Sequence, residues 1–168
     1  MFLSMSPTLA LLRSLSGNSL HGTRACIKPL CQFQHGKLGF VDASAVGAGK
    51  TLSALACVCS VAQQLASKDV QCHGSLVLAP VKELVSEWLI QVCSTPRLHI
   101  MEQRASGKLF SPYFKHGNPP IDGNSVVTST LARVREHPFA KSAWDLVVID
   151  ECLSVQNYTA LQTAEAWR

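Results

Sequence analysis

The sequence predicts an α/β fold, three layers deep around a mainly parallel sheet, and three observations carry that expectation. Short apolar runs alternate with segments of helical period along most of the chain, and such alternation builds a parallel sheet with helices on its faces. A glycine-containing loop, Asp42-Ala43-Ser44-Ala45-Val46-Gly47-Ala48-Gly49-Lys50-Thr51, joins one apolar run to an apolar helix. A wholly apolar run, Leu146-Val147-Val148-Ile149, ends in two adjacent carboxylates, Asp150 and Glu151. Strands buried on both faces read this way, and ligands bind beyond their carboxyl ends.

Each element follows in order. The first strand is expected over 38–41, from Leu38-Gly39-Phe40-Val41. The helix after the loop spans 51–67 and sets Leu52, Leu55, Val58, Cys59, Ala62 and Leu65 on one face, with Ser53, Ser60 and Gln64 elsewhere. A strand over 75–79, a helix over 82–93 and a strand over 98–102 come next. A polar loop containing Gly and Pro occupies 105–123. Its aromatic pair Phe110 and Tyr113, beside Lys108 and Lys115, suits base stacking or simple anchoring of the loop. Anchoring is favoured, because nothing else there points to bases. A strand over 125–128, a short helix to about 135, the strand ending at Asp150 and a last helix from Thr159 complete the order.

The loop and the acidic strand end carry chemistry. Glycines let backbone N–H groups curl around phosphate oxygens at the positive end of a helix, so Gly47, Ala48 and Gly49 form a phosphate cradle. Lys50 reaches the β- and γ-phosphates of a nucleoside triphosphate, and the Thr51 hydroxyl is a ligand for Mg²⁺. Asp150 is placed to hold Mg²⁺ or its waters, and Glu151 to polarise an attacking water. The generic phosphate-loop pattern has glycine where this chain has Ser44, yet Gly47, Gly49, Lys50 and Thr51 retain G-x-G-K-T. The catalytic candidates are therefore Lys50, Asp150 and Glu151, and the metal candidates Thr51 and Asp150.

Composition bounds the alternatives. With 168 residues, 47% of them apolar and 15% charged, the chain has enough apolar material for one core. No run of 18 apolar residues suggests a membrane span. Seven cysteines without a C-x-x-C pair argue against a disulfide framework or zinc site and for a reducing, intracellular compartment. Cys57 and Cys59 read as packing residues. The net charge of +4 is compatible with a nucleic-acid partner. Much of it comes from the first 41 residues, which contain Arg13, Arg24, Lys28 and Lys37 and no carboxylate before Asp42. Residues 1–27, with a Ser- and Leu-rich start, read as a disordered leader or an organellar transit peptide, which leaves nucleus or organelle as locations. Residues 28–168 read as one partial domain.

Taken together, the motifs resemble the first RecA-like lobe of superfamily-two helicases, and within them the Swi/Snf-type ATPases. Leu76-Val77-Leu78-Ala79-Pro80, followed by Leu84 and Trp88, looks like the family's motif Ia. Ser125-Val126-Val127-Thr128-Ser129-Thr130-Leu131 is similar to its V-V-x-T-T-Y segment, and residues from Trp144 to Glu151 to its W-D-L-V-I-I-D-E. The resemblance implies a P-loop NTPase, RecA-like fold with ATP and Mg²⁺ as cofactors, a hydrolase activity in the full-length context, and double-stranded DNA as partner. It also implies that Gln32 or Gln34 reads adenine. Pro80, Val81, Lys82, Thr128, Ser129 and Thr130 are then the residues expected along a phosphate backbone, as sequence-independent contacts. Ordinary strand-end and capping chemistry explains Thr128 to Thr130 equally well.

Departures from the family matter as much. The chain continues Asp150-Glu151-Cys152-Leu153 where the family has D-E-A-H, and Leu153 lacks the hydrogen bonds that couple nucleotide to the rest of the core. The S-A-T motif and second RecA-like lobe do not follow before Arg168. An isolated first lobe is expected to bind nucleotide weakly, to turn over poorly without the second lobe's arginine, and to associate through an open sheet edge. Two other readings stand beside the ATPase lobe: a different P-loop protein, such as a kinase or AAA-type ATPase, and a non-enzymatic remnant.

Overall fold

The computed structural model describes residues 40–68, 70–103, 109–110, 121–134 and 143–151. The chain divides into two compact units, Met1–Gln63 and Gln64–Arg168.

In the first unit the loop leads into helix α1 (Lys50–Ala66). Its interior contains no glycine or proline, and its small and apolar side chains suit a closely covered helix. Burial is wider than a single stripe: Ser53, Leu55, Ala56, Cys57, Val58, Cys59, Ser60 and Ala62 are all buried. Ser53 and Ser60, expected away from the core face, are thus inside it. Ser53 is tolerated there because its hydroxyl donates back to the Gly49 carbonyl at 3.2 Å, so no polar atom is stranded. The strand expected over 38–41 is not seen at its described end. Phe40 and Val41 have no regular structure and are 39% and 72% exposed; residues 38 and 39 lie outside the described residues.

The second unit is built on a five-stranded sheet. Its elements are β1 (Ser75–Ala79), α2 (Lys82–Cys93), β2 (His99–Gln103), β3 (Leu109–Phe110), β4 (Ser125–Thr130), α3 (Leu131–Val134) and β5 (Leu146–Ile149). The strand order is β3-β2-β4-β1-β5. Strands β2, β4, β1 and β5 run parallel, and β3 is an antiparallel edge strand. β3 lies inside the segment expected to be loop: two residues are too few to show a period, and they become a strand only because Glu102 and Gln103 pair with them. The last helix, expected from Thr159, falls outside the described residues.

Burial explains the sequence pattern of the central strands. All five residues of β1 are buried, so both faces of the strand need covering and its side chains do not alternate in polarity. Leu76, Leu78, Met101, Val127 and Leu131 form one core cluster, with Leu109, Trp144 and Ile149 packed against it. Helix α2 packs on β4, β2 and β1, burying Val85, Trp88 and Val92 at helical spacing. Each such side chain contributes about 1.5–3 kcal/mol on removal from water.

Polar ties fix the amino ends of the strands. The Asp145 carboxylate accepts the backbone N–H groups of His73 at 2.8 Å and Gly74 at 2.9 Å, while the Asp145 N–H donates to the Gly74 carbonyl at 2.9 Å. Residues more than 70 positions apart are thereby held side by side where β1 and β5 begin. Ahead of β4, Asp122 accepts hydrogen bonds from the Asn124 N–H at 3.0 Å and the Ser125 hydroxyl at 2.8 Å, closing the turn that sets the strand's start.

Candidate functional site

The loop before α1 has the backbone that its glycines permit. Gly47 and Gly49 have φ of +78° and +86°, a region that side chains other than hydrogen disfavour, and a Cβ at either would meet nothing within 4 Å. Conformation and not space therefore calls for glycine here. The Ser53 N–H donates to the Gly49 carbonyl at 3.0 Å, which makes Gly49 the last residue before the helical ladder. The N–H groups of the first turn have no partner within the ladder, and no acidic side chain stands in that turn to compete for an anion.

Lys50 is folded over this loop. Its ammonium donates to the carbonyls of Ser44 at 2.7 Å and Ala45 at 3.0 Å. The Ala48 N–H closes a turn onto the Ala45 carbonyl at 3.2 Å, and Asp42 accepts the Ser44 N–H at 3.0 Å. The loop is thus a turn whose backbone carbonyls are tied by one cation, and Gly47, Ala48, Gly49, Lys50 and Thr51 follow one another along it into the helix. Gln32 and Gln34 fall outside the described residues.

The second unit gathers the other candidates at the carboxyl ends of its parallel strands. Ala79 pairs with Thr130, and Leu78 with Ile149, so Pro80, Thr130 and Asp150 emerge at the same edge of the sheet. The Asp150 N–H donates to the Leu78 carbonyl at 2.9 Å, extending the ladder by one bond beyond β5. One carboxylate oxygen of Asp150, Oδ2, accepts the indole N–H of Trp88 at 2.8 Å. The other, Oδ1, accepts the backbone N–H of Glu151 at 2.9 Å. Glu151 is exposed and has φ of +50°, a left-handed conformation that costs a non-glycine residue about 1 kcal/mol. Sequence reasoning placed Trp88 only within a motif and gave it no role; its signal was an indole donor at a buried helix position, which needs an acceptor.

The six residues expected along a phosphate backbone divide by burial. Val81 and Lys82 are exposed, and Pro80 and Thr130 half-buried. Thr128 and Ser129 are fully buried within β4, and the Thr128 hydroxyl lies 3.4 Å from the Met101 carbonyl to which it donates. Side chains at 128 and 129 project to opposite faces of the sheet, and both faces are covered there, so neither hydroxyl faces solvent.

Two cysteines of α1 behave as packing residues. Cys57 and Cys59 are buried and unbridged, and burial pushes the Cys59 thiol up to about 11, a backbone hydrogen bond opposing part of that rise. Among the described residues no group of three or more His, Cys, Asp or Glu side chains clusters as a metal site, and no helix is long and apolar enough to cross a membrane.

Comparison with known proteins agrees with the motif reading. The chain is 38% identical over 140 residues to a protein of Acanthamoeba polyphaga mimivirus described as a putative helicase; the match takes in 82% of this chain and 10% of that protein. The structure aligns with the Sulfolobus solfataricus SWI2/SNF2 ATPase core, solved in complex with double-stranded DNA, at a TM-score of 0.60 and 21% identity. That alignment covers 85% of this chain and 28% of the solved one. No family model matches the chain. The fold is the RecA-like α/β fold of that ATPase core, the sequence is similar to that of a helicase-like protein, and the chain spans only a small part of either relative's length.

Proposed function

We propose that the chain is the nucleotide-binding lobe of a Swi/Snf-type, nucleic-acid-dependent ATPase, taking Mg·ATP at the loop before α1 and touching a DNA backbone near the end of β1. The observation that carries this reading is the loop: two left-handed glycines, a helix N-terminus without a competing carboxylate, and a lysine held over the loop's carbonyls. The backbone N–H groups of Gly47, Gly49, Lys50 and Thr51 donate to phosphate oxygens, the Ala48 N–H being engaged by the Ala45 carbonyl. Lys50 exchanges its two carbonyl acceptors for phosphate oxygens, trading dipoles for a charge, which makes the hydrogen bonds stronger.

Each unit offers an oxygen donor of the kind Mg²⁺ takes: Thr51 a hydroxyl in the first, and Asp150 in the second a carboxylate with lone pairs beyond the two already engaged. When bound, the cation neutralises charge on the β- and γ-phosphate oxygens. Glu151 serves as the water-orienting group, and its exposed, left-handed position at the strand end gives it access to solvent. Pro80, Val81, Lys82 and Thr130 supply a short, sequence-independent surface for phosphates of the DNA; the complex formed by the solved relative supports that choice of partner.

A non-enzymatic role is the second reading, favoured by Leu153 in place of the family's histidine. Calorimetry with Mg·ATP separates the two at the level of binding. Lys50→Ala is expected to weaken affinity at least tenfold by removing the cation that faces the phosphates. Equal affinities for wild type and Lys50→Ala would end the nucleotide-binding reading.

A further inference from the structure

We infer that Trp88 is a positioning residue for Asp150: its indole N–H locks the carboxylate in one orientation, the one in which its remaining lone pairs take Mg²⁺. This inference rests on the nucleotide-binding reading above. Trp88 is 3% exposed, on the face of α2 that packs against the sheet with Val85 and Val92. Packing alone would be served there by leucine or phenylalanine. Tryptophan adds one polar atom, and a buried indole N–H needs an acceptor. The acceptor is Asp150 Oδ2 at 2.8 Å, across 62 residues of sequence.

The second carboxylate oxygen is held independently. Oδ1 accepts the Glu151 N–H at 2.9 Å, and the Asp150 backbone is fixed by its own N–H on the Leu78 carbonyl. With one donor on each oxygen, rotation of the carboxylate would break a hydrogen bond to a charged acceptor whichever way it turned. Two lone pairs of the four remain. Groups that hold a ligating carboxylate from behind commonly change metal affinity 10- to 100-fold when removed. Because the Glu151 N–H would still hold Oδ1, the low end of that range applies to Trp88.

The test uses the chain labelled with ¹⁵N at its three tryptophans, Trp88, Trp144 and Trp167, with indole resonances assigned from Trp→Phe variants. Adding Mg²⁺ to the ATP-saturated protein is expected to shift the Trp88 indole resonance, whereas ATP with chelator leaves it in place. In calorimetry, Trp88→Phe is expected to keep the metal-free ATP affinity and to lose about tenfold of the gain that Mg²⁺ adds. A wild type that shows the Mg²⁺ gain while its Trp88 resonance stays fixed would overturn the inference, as would Trp88→Phe with the full gain. Either result would leave nucleotide binding intact. Absence of any Mg²⁺ gain in wild type would instead remove the metal from the nucleotide reading, and overturn this inference with it. If Trp88→Phe fails to fold, the wild-type resonance decides alone.

Discussion

Replacing Asp145 by alanine should destabilise the second unit more than any change to an exposed polar residue. The carboxylate accepts two backbone N–H groups, from His73 at 2.8 Å and Gly74 at 2.9 Å, and so fastens the start of β1 to the start of β5. A hydrogen bond to a charged group contributes about 1.5–3 kcal/mol, and Asp145 is half-buried, which favours the lower value. Two such bonds give a loss of about 3 kcal/mol. For a domain of this size that corresponds to a fall in Tm of roughly 6–12 °C. Asp145→Asn keeps an acceptor oxygen without the charge and should lose about half as much. Urea unfolding followed by circular dichroism, with both variants beside wild type, measures the difference. An alanine variant within about 0.5 kcal/mol of wild type would refute the claim that this carboxylate joins the two strands.

Three further outcomes are expected. Asp150→Asn should spare metal-free ATP binding and reduce the gain from Mg²⁺; a titration showing the wild-type gain would remove Asp150 from the metal role. Gly74→Ala should cost about 2–4 kcal/mol in urea unfolding, because the new Cβ would lie 2.8 Å from Ile121 Cγ2 and 2.9 Å from two carbonyl oxygens at a φ of +75°. A near-neutral variant would show that the turn before β1 yields easily. The buried Cys59 thiol, raised from 9.0 to about 11, binds its proton more tightly folded than unfolded. Its contribution is full below about pH 9 and is lost as pH rises to about 11, up to roughly 3 kcal/mol for two pH units. Cys59→Ala should flatten that slope in thermal melts taken between pH 8 and 11, and an unchanged slope would assign it to other groups.

How much of this was legible without coordinates follows from what is local. Residues 75–79 and 82–93 are bounded in the sequence as they are in the structure, because an unbroken apolar run ending at Pro80 and a helical period starting at Lys82 are written in neighbouring residues. Helix α1 starts one residue earlier than expected, at Lys50, a shift common at helix ends. The loop before α1 is equally local: glycine is the residue type that reaches the φ values at positions 47 and 49 without strain. Periodicity fails where context decides. Two-residue β3 exists only through its pairing with β2, and Ser53 and Ser60 are buried because α1 is covered on more than one stripe.

By itself, then, the sequence determined the kinds of element, their order and the residue types of the loop and of the acidic strand end, since each depends on residues a few positions apart. Tertiary structure alone decided what lies beside what. The order β3-β2-β4-β1-β5 puts β4 inside the sheet, and cover on both of its faces takes Thr128 and Ser129 out of solvent, although their residue types suit phosphate contact. That order also aligns the ends of β1 and β5, so that Asp145 meets His73 and Gly74 at one end while Asp150 meets the Leu78 carbonyl at the other. Packing of α2 on the same sheet brings the Trp88 indole to Asp150. A side chain's donor or acceptor capacity is fixed by its type, but its partner is fixed by which strands pair and which helix covers them, and no local pattern encodes a contact across 62 residues.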